Sequence, residues 1–567
     1  MEGFLIFRVY KHVMKYIIFT ILFFTSVNIY SQKTVGVINT SEDVLPGYIF
    51  FSPFSGTNAY MIDQCGQLVN KWERGTNPGL SAYFLDNGLM LRTYKPEPNG
   101  PFTSASNAGG LELVDWNNDI VWSYEFNTSE WISHHDATIM PNGNILLLTW
   151  DLVYTDELIE MGRDPNEISS QGFMWSERII EVEPIGSNDM EIVWQWEIKD
   201  HYVQELDSTK LNFAVVADHP ELFDLNLPEL NSSNSNSTRD WNHMNAIDYN
   251  ENLDQILISV RNSDEIWIID HSTTTEEATT YTGGTYGKGG DILFRWGNAN
   301  AYDRAPVSDQ KLFGQHGVNW IDDGLEDEGK ILIFNNGNGR PGPDFSTTEI
   351  LVPEQTSPGF YILPETDPFG PENTEWSYDG GNDGYYSPYL SNAQRLSNGH
   401  TLINAGSPGY IFEIDENDEI VWEYVIPLQG NTAVPQGANP GGNSTFRAYK
   451  FDPDFPGFDG IEIQAGELIE SDDNPLPCLI SSLKNKIVYL PAFSFTHNRD
   501  HNELNINNPK STMLELNLFD IYGNKVEHKS ILSESIMLPL NLSNGIYFLE
   551  LSDQKANRIS GKVIITN

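Results

Sequence analysis

The segment Leu312–Pro341 reads LFGQHGVNWIDDGLEDEGKILIFNNGNGRP and contains the pattern that decides the fold. His316 begins one apolar run, and the next run, Ile331–Phe334, has the composition of a buried strand. An Asn- and Gly-rich turn follows, because both residue types tolerate positive φ, and Arg340 comes directly after it. A hairpin of this kind brings an imidazole and a guanidinium to the same end of a sheet, where they suit an anionic ligand.

This hairpin is one of two kinds that alternate along the chain. The first kind is an apolar strand, an acidic turn and a strand ending in tryptophan, as in Leu111–Trp122 and Ile411–Trp422. The second kind has an Asn-Gly type of turn, as in His135–Leu148 and Ser391–Ile403. Six tryptophans mark hairpins of the first kind: Trp72, Trp122, Trp194, Trp296, Trp376 and Trp422.

Two hairpins make a four-stranded unit, and its recurrence every ~40–50 residues is typical of a β-propeller. We therefore predict an all-β chain, with a six-bladed β-propeller over residues 45–460, a linker over 461–484 and a small C-terminal β-sandwich over 485–567. A seven-bladed propeller is the alternative, because Thr445–Gly460 could complete an early blade by ring closure. An aromatic content of 12% and 46 glycines agree with strands and turns.

The chain is strongly acidic, since 32 Lys and Arg against 80 Asp and Glu give a formal net charge of −48. This charge excludes nucleic-acid binding through a basic face. An anionic substrate would be repelled by the surface as a whole. A site for such a substrate must therefore be locally basic and enclosed.

The amino terminus predicts export. Lys11 and Lys15 precede a short apolar run over residues 16–24, and the pattern fits a signal peptide over residues 1–31. A membrane span is the alternative, but this run is short for one and no other long apolar stretch follows. Met14 is an alternative start, because Lys15 would then open a well-formed signal. We expect a secreted or cell-surface protein whose mature form has no stable membrane span.

The chain has two cysteines, Cys65 and Cys478, far apart in the sequence. Neither has the CxxC spacing of a metal or redox motif. A disulfide between them is one interpretation, and two unrelated buried thiols are the expected one.

Three histidines share one position relative to the turn of their hairpin. Each lies seven residues before a turn residue, in the pairs His135 and Asn142, His243 and Asn250, and His316 and Asp323. Equivalent positions near the inner strands of a propeller converge on the central channel, so three imidazoles are expected to share one cavity. A single histidine at a strand start is commonly a structural hydrogen-bonding residue, and tetrahedral zinc is a rival use of three. We expect no metal, because no carboxylate accompanies the three and Arg340 favours an anion.

The arginines follow the same pattern. Arg340 follows the hairpin of His316, Arg261 follows the corresponding strand after His243, and Arg395 lies in a fourth such strand. An oxyanion is best held by forked, permanently charged donors. The predicted catalytic residues are His316, His243, His135 and Arg340, and the predicted substrate-binding residues are Arg261, Arg395, Asn319 and Ser391.

The end of the chain resembles the C-terminal sorting domains of the type IX secretion system. The matching segments are Leu518–Val526, Leu542–Leu551 and a final Lys562–Thr566 strand, while the usual opening Pro-Asn-Pro is replaced by Asn498–Asn507. The resemblance covers about the last 80 residues. It implies the type IX secretion machinery as a partner and export across the outer membrane.

Residues 45–460 resemble the bacterial arylsulfotransferase family, whose members need no phosphoadenosine donor. The motifs that carry the resemblance are His134–Ala137, Asp240–Ala246, Gln315-His316 through Arg340, and Ser391–Ile403 with Trp422–Val425. The resemblance implies a six-bladed propeller that moves a sulfuryl group from an aryl sulfate donor to a phenolic acceptor without a cofactor. It implies ping-pong transfer through a sulfated histidine. His243 and His316 would then bind sulfate or act as acid and base, and Arg340 would be the guanidinium clamp.

One position departs from the family pattern. The nucleophilic histidine of the family comes from a later blade, and the equivalent place here is Ser391, seven residues before Asn398. His135, which shares the register, is the spare candidate. A non-catalytic propeller that binds an anionic ligand or a surface partner is therefore the second hypothesis, and a quinone-dependent dehydrogenase is the third.

Overall fold

The computed structural model describes most of the chain, and two compact units, residues 1–478 and 479–567, divide it. The predicted signal peptide and residues 472–484 of the predicted linker lie outside the described residues. Those described are 33–97, 99–227, 239–381, 384–471, 494–498, 503–508, 513–519, 525–533, 535–539, 542, 545–553 and 558–565.

Among the described residues of the first unit, six antiparallel sheets follow one another. Each is built from four strands in the order of the chain, except that the first sheet begins with the last strand, Thr445–Phe451. The first three sheets consist of Thr445–Phe451, Tyr48–Pro53, Ala59–Asp63 and Leu68–Trp72; Pro78–Phe84, Met90–Tyr94, Gly110–Val114 and Ile120–Glu125; and Trp131–Ile139, Ile145–Tyr154, Phe173–Ile185 and Asp189–Glu197. The next three consist of Met244–Asn250, Gln255–Val260, Glu265–Asp270 and Phe294–Trp296; His316–Trp320, Ile331–Asn335, Thr347–Leu351 and Trp376–Tyr378; and Asn392–Arg395, Thr401–Ala405, Tyr410–Ile414 and Ile420–Val425.

Short elements lie between these sheets and at their edges. Gly36–Thr40 adds a fifth strand to the sixth sheet, antiparallel to Ile420–Val425. Three short strand pairs lie in the connections between the main strands: Tyr202–Val203 with Phe223–Asp224, Gln355–Ser357 with Phe360–Tyr361, and Leu428–Gln429 with Thr432–Ala433. The helical turns are Thr155–Glu160, Ile198–His201, Val216–Asp218, Arg261–Ser263, Thr275–Ala278, Ala299–Tyr302, Val307–Asp309 and Pro456–Phe458.

The sheets close into a ring. The first strand of each sheet packs against the first strands of the sheets before and after it, all the way round. The ring closes in the first sheet, where Thr445–Phe451 pairs antiparallel with Tyr48–Pro53. The arrangement is all-β and propeller-like, and the first strands surround a common axis.

The six repeated tryptophans explain the period of the sequence. Each lies in the fourth strand of its sheet and donates its indole N–H to the next sheet round the ring, with the sixth donating to the first. The pairs are Trp72 with Asp115, Trp122 with Asp189, Trp194 with Thr273, Trp296 with Pro371, Trp376 with Asp418 and Trp422 with Gln64, at 2.8–3.2 Å. A large apolar ring with one N–H donor thus packs between neighbouring sheets and leaves no unpaired polar group.

The described residues of the second unit form two antiparallel sheets. One consists of Ser494–Asn498, Glu503–Asn507 and Ser535–Pro539, and the other of Lys525–Ile531, Leu514–Phe519, Gly545–Asp553 and Arg558–Ile565. Apolar side chains of both sheets share one core, which includes Leu504, Ile506, Leu516 and Leu549. The predicted strands of this region are therefore paired around a core of their own.

The expectation of two unrelated thiols is wrong, because Cys65 is disulfide-bonded. Cys478 is the other cysteine of the sequence and lies outside the described residues. A disulfide fits a chain that leaves the reducing cytoplasm.

His271 joins the third and fourth sheets through two carboxylates. Its Nδ1 lies 2.7 Å from Asp254 Oδ1 and its Nε2 lies 3.1 Å from Glu181 Oε2. Burial alone would lower the pKa of His271, but the hydrogen bonds to the two carboxylates outweigh it and raise the pKa to about 9. The ring is therefore a cation at neutral pH, and it cross-links two sheets.

We expect His271→Ala to destabilise the protein by roughly 1–3 kcal/mol at pH 6 and by much less at pH 10. A histidine whose pKa rises on folding from 6.5 to about 9 adds stability that is fully present below pH 6.5 and is lost as the pH rises through about 9. Thermal or urea unfolding of both proteins at the two pH values checks this. An equal loss at both values would mean that the ring acts by packing alone.

Candidate active site

The candidate site lies where the first strands of several sheets begin. His135, His243 and Ser391 have left-handed backbone conformations, with φ of 47°, 56° and 95°. In the fifth sheet the residue after His316, Gly317, takes this conformation instead, with φ of 58°. The third, fourth and fifth sheets each have a register shift beside their histidine. Such bulges re-aim side chains, and strained backbone of this kind is typical of functional sites.

The structure brings His135 and His243 into direct contact. Their Nε2 atoms lie 3.0 Å apart. His243 Nδ1 lies 2.6 Å from Asp240 Oδ2, and His135 Nδ1 lies 2.8 Å from Nδ1 of His134. His134 Nε2 in turn lies 2.9 Å from Glu177 Oε2. The described part of the chain contains no group of three or more His, Cys, Asp or Glu residues arranged to hold a metal ion.

His316 lies beside this pair and is held differently. Its Nδ1 lies 3.0 Å from the Gly314 carbonyl and 2.8 Å from Asn336 Oδ1, so Nδ1 carries the hydrogen and donates it. Its Nε2 forms no hydrogen bond with any residue that the structure describes, and the lone pair of the neutral ring therefore points away from both partners. Burial first, and then the charge of Arg261, hold the pKa of His316 well below its usual value.

Two arginines supply positive charge near His316. Arg261 is buried, and its backbone N–H donates to the carbonyl of His243 at 3.1 Å. Arg447 lies in the strand that closes the ring, where it donates to Asp136 Oδ2 at 3.1 Å and to the Ser391 carbonyl at 2.9 Å. Both guanidinium groups lower the pKa of His316. The site is thus enclosed, and its two guanidinium groups supply the local positive charge that an anionic substrate needs on this acidic chain.

Arg340 lies outside this group. Its guanidinium donates to Thr347 at 3.3 Å and lies over the rings of Phe345 and Phe313, at 4.3 and 5.3 Å. The fifth-sheet residue that corresponds to Arg261, directly after the second strand, is Asn336. The turn after Asn336 carries Arg340 beyond the strand end.

The structure also places Arg395 and Asn319 away from the histidines. Arg395 lies at the turn end of its hairpin, where it bonds Asp327 at 2.6 Å and Thr401 at 2.7 Å. Asn319, three residues into its strand, donates to the Trp320 carbonyl at 2.9 Å. These contacts are structural bonds within and between hairpins.

Ser391 occupies the expected register but has its hydroxyl engaged. The hydroxyl donates to Ser387 at 2.9 Å and accepts from the Gly406 N–H at 2.9 Å. Its carbonyl accepts from Arg447. The residue therefore supports the site through its backbone, as a positioning element for the Arg447 guanidinium.

Sequence reasoning missed three residues of this site as functional candidates. His134 is adjacent to His135 in the motif His134–Ala137, and its companion Glu177 gives no signal because it lies on another strand. Arg447 lies in the ring-closing segment Thr445–Gly460, which was considered only for the fold. The signal that could have indicated Arg447 is its charge within an apolar strand. That strand, Thr445–Phe451, is the first strand of its sheet although it comes last in the sequence of the ring.

Residues 48–426 match the family model described as Arylsulfotransferase (ASST). The chain belongs to the arylsulfotransferase family. Residues 498–566 match the model described as Secretion system C-terminal sorting domain. Both resemblances noted in the sequence are thereby confirmed. The sorting domain marks an exported arylsulfotransferase-family protein that is secreted or displayed at the cell surface, and no helix in the described ranges is long and apolar enough to cross a membrane.

Solved structures that resemble the chain do so at low identity, and no curated protein matches it. A protein of unknown function from Bacteroides caccae is 12% identical, covering 67% of this chain and 93% of its own, with a TM-score of 0.35. Virginiamycin B lyase from Staphylococcus aureus is 11% identical, covering 70% and 90%, with a TM-score of 0.29. The periplasmic gluconolactonase of Pseudomonas aeruginosa is 9% identical, covering 87% and 99%, with a TM-score of 0.32.

Proposed function

We propose that this arylsulfotransferase-family chain is an exported enzyme that transfers a sulfuryl group from an aryl sulfate to a phenol. In this proposal the six sheets are the six blades of a propeller over residues 45–460, and the two C-terminal sheets form a sandwich over residues 485–567 that serves type IX secretion. Residues 1–31 are the signal peptide, and residues 461–484 are the linker.

The observation that carries the proposal is the arrangement of His316. Its Nδ1 is fixed by Gly314 and Asn336, so the Nε2 lone pair is oriented and available. The pKa of His316 lies well below its usual value, so the ring stays unprotonated at neutral pH. A neutral, oriented imidazole next to guanidinium groups is suited to attack the sulfur of a bound sulfate ester. The geometry therefore favours His316 as the nucleophile over His135 and over the Ser391 position.

The reaction then has two balanced halves. In the first, His316 Nε2 forms a bond to sulfur, the bond from sulfur to the aryl oxygen breaks, and its electron pair stays on that oxygen, which takes a proton. In the second, the oxygen of an acceptor phenol attacks the same sulfur, the nitrogen–sulfur bond breaks and the phenol loses its proton. Arg261 and Arg447 balance the negative charge of the sulfate oxygens in both halves. No cofactor is required.

Incubation with 4-nitrophenyl sulfate, followed by intact-mass measurement, tests this function. We expect the protein to gain the mass of one sulfuryl group and to lose it again when phenol is added. Release of nitrophenol without any mass gain would instead indicate direct transfer or hydrolysis. If the protein neither releases nitrophenol nor gains mass, the competing hypothesis of a propeller that only binds an anion would be supported.

A further inference from the structure

We infer that Glu177, His134, His135, His243 and Asp240 form one proton wire that stores a single transferable proton for the aryl oxygen. This inference rests on the sulfuryl transfer proposed above. All five residues are buried, with exposed fractions of 8% or less. Every one of the six ring nitrogens contacts a neighbour in the wire, at 2.6–3.0 Å.

The inference starts from a count of protons. Four contacts join the five groups in a line, and each contact needs one hydrogen between its two heavy atoms. Two ionised carboxylates contribute none, and three neutral imidazoles contribute three. A contact without a hydrogen would set two lone pairs against each other at hydrogen-bond distance in a buried site, which is strongly unfavourable. The wire as observed therefore holds four protons, one more than its neutral imidazoles carry.

The position of the extra proton follows from the middle ring. Burial, followed by the charges of His243 and His134, holds the pKa of His135 well below its usual value, and His316 and Arg447 act in the same direction. His135 is therefore the neutral ring. Two arrangements remain, with the extra proton making an imidazolium of His134 beside Glu177 or of His243 beside Asp240. They interconvert when His135 changes tautomer.

The Glu177 end of the wire and the contact between His135 and His243 have different surroundings. Glu177 Oε1 accepts hydrogen bonds from the Trp150 indole at 3.1 Å and from the Met244 N–H at 2.9 Å, and His134 stacks on Trp150 with ring centroids 4.0 Å apart. This end is closed by protein. The contact between His135 and His243 lies on the side of the nucleophile, because His135 and His316 both pack against the ring of Phe446, at 6.4 and 6.3 Å.

The wire can therefore serve both half-reactions. When the bond from sulfur to the aryl oxygen breaks, the Nε2 proton of the His243 imidazolium passes to that oxygen, and the wire is left with three protons. When an acceptor phenol attacks the sulfo-histidine, its proton returns to the wire and restores four. His134 and Glu177 are positioning residues in this scheme, since they hold the proton when it is away from the reacting oxygen.

The variant Glu177→Gln tests the wire with little disturbance of its bonds. The glutamine oxygen still accepts from Trp150 and Met244, and its amide donates to His134. Three neutral imidazoles and that amide then fill all four contacts, so no extra proton is needed. The variant should keep its fold and lose only the transferable proton.

We expect Glu177→Gln to lower kcat roughly 100-fold with phenyl sulfate and only a few-fold with 4-nitrophenyl sulfate. Nitrophenolate is a weak base that leaves without a proton, whereas phenolate needs one. Glu181→Gln is the matched control, because Glu181 lies on the same strand and also bonds a histidine, His271. Any change in the kcat of Glu181→Gln should be the same with both donors. Equal losses of Glu177→Gln with both donors, or no loss with either, would overturn the inference.

The proton itself can be counted without turnover. With 15N-labelled histidine, the wild type should show one more imidazolium than Glu177→Gln by NMR. Equal numbers of imidazolium rings in the two proteins would overturn the inference even in an active enzyme. A wild type that transfers no sulfate but shows the extra proton would refute the proposed function and leave the four-proton wire standing.

Discussion

Replacing His316 with alanine is expected to lower sulfuryl transfer by roughly 10⁴-fold or more and to abolish the covalent mass gain. The change removes the one imidazole of the site whose Nε2 has no hydrogen-bond partner among the described residues. The oriented lone pair goes with it, whereas Arg261 and Arg447 remain to bind the anion. Binding of an aryl sulfate should therefore survive while the chemistry stops. Release of nitrophenol, intact mass and titration with the donor measure the three effects separately.

Two further variants make this prediction specific. His400→Ala is the matched control, because His400 is a buried histidine that bonds Glu413 at 2.7 Å on the other arm of a hairpin. Its activity should stay within a few-fold of the wild type. In His135→Gln the covalent sulfo-enzyme should still form from 4-nitrophenyl sulfate, and peptide mapping should place the sulfuryl group on His316. An adduct on His135 in the wild type would contradict the assignment and restore the spare candidate.

Much of the fold could be predicted because the repeat has a physical cause. A tryptophan in the fourth strand of each sheet must find an acceptor in the next sheet, so it recurs once per sheet and is visible in the sequence. The closure of the ring by Thr445–Gly460 was also foreseeable, since a closed ring leaves no sheet edge exposed. The disulfide at Cys65 was not, because pairing depends on distances that the sequence does not contain.

The site was less predictable because its contacts cross between sheets. The common register brings His135, His243 and His316 together, and this register can be counted from the turns. The register does not indicate which ring nitrogens are occupied, and this difference separates His316 from the other two. Glu177 and Arg447 come from strands that the count does not compare, and the first of them lies 43 residues from its partner His134.

The separation of Arg340 from His316 has a local cause. In the sequence the two residues lie at the start and just past the end of one hairpin, and this pattern predicts that they lie together. The long turn after Asn335 moves Arg340 past the strand end, and Asn336 takes the place that Arg261 has in the fourth sheet. We therefore expect the two arginines to differ in function, and this difference can be tested directly.

Arg261→Ala is expected to lower kcat/KM for 4-nitrophenyl sulfate roughly 10²- to 10³-fold, and Arg340→Ala only a few-fold. Arg261 is buried beside His243, and its charge acts on His316, so its removal leaves Arg447 as the guanidinium that faces the sulfate oxygens. Arg261→Lys should recover only part of the loss, because an ammonium cannot form the forked pair of bonds that a guanidinium forms with an oxyanion. Steady-state kinetics of the three variants at one ionic strength measure these ratios.

We expect the effect on stability to be larger at Arg340 than at Arg261, the reverse of the effect on activity. Arg340 packs over Phe313 and Phe345, so Arg340→Ala should lower the melting temperature while the surviving folded enzyme turns over nearly normally. In Arg261→Ala the pKa of His316 should rise, because one of the charges that lowers it is gone, and the activity that remains should fall at a higher pH than in the wild type as the pH is lowered. If Arg340→Ala proved as inactive as Arg261→Ala at full stability, the turn would have to bring Arg340 onto the anion during catalysis, and Arg340 would again be the clamp.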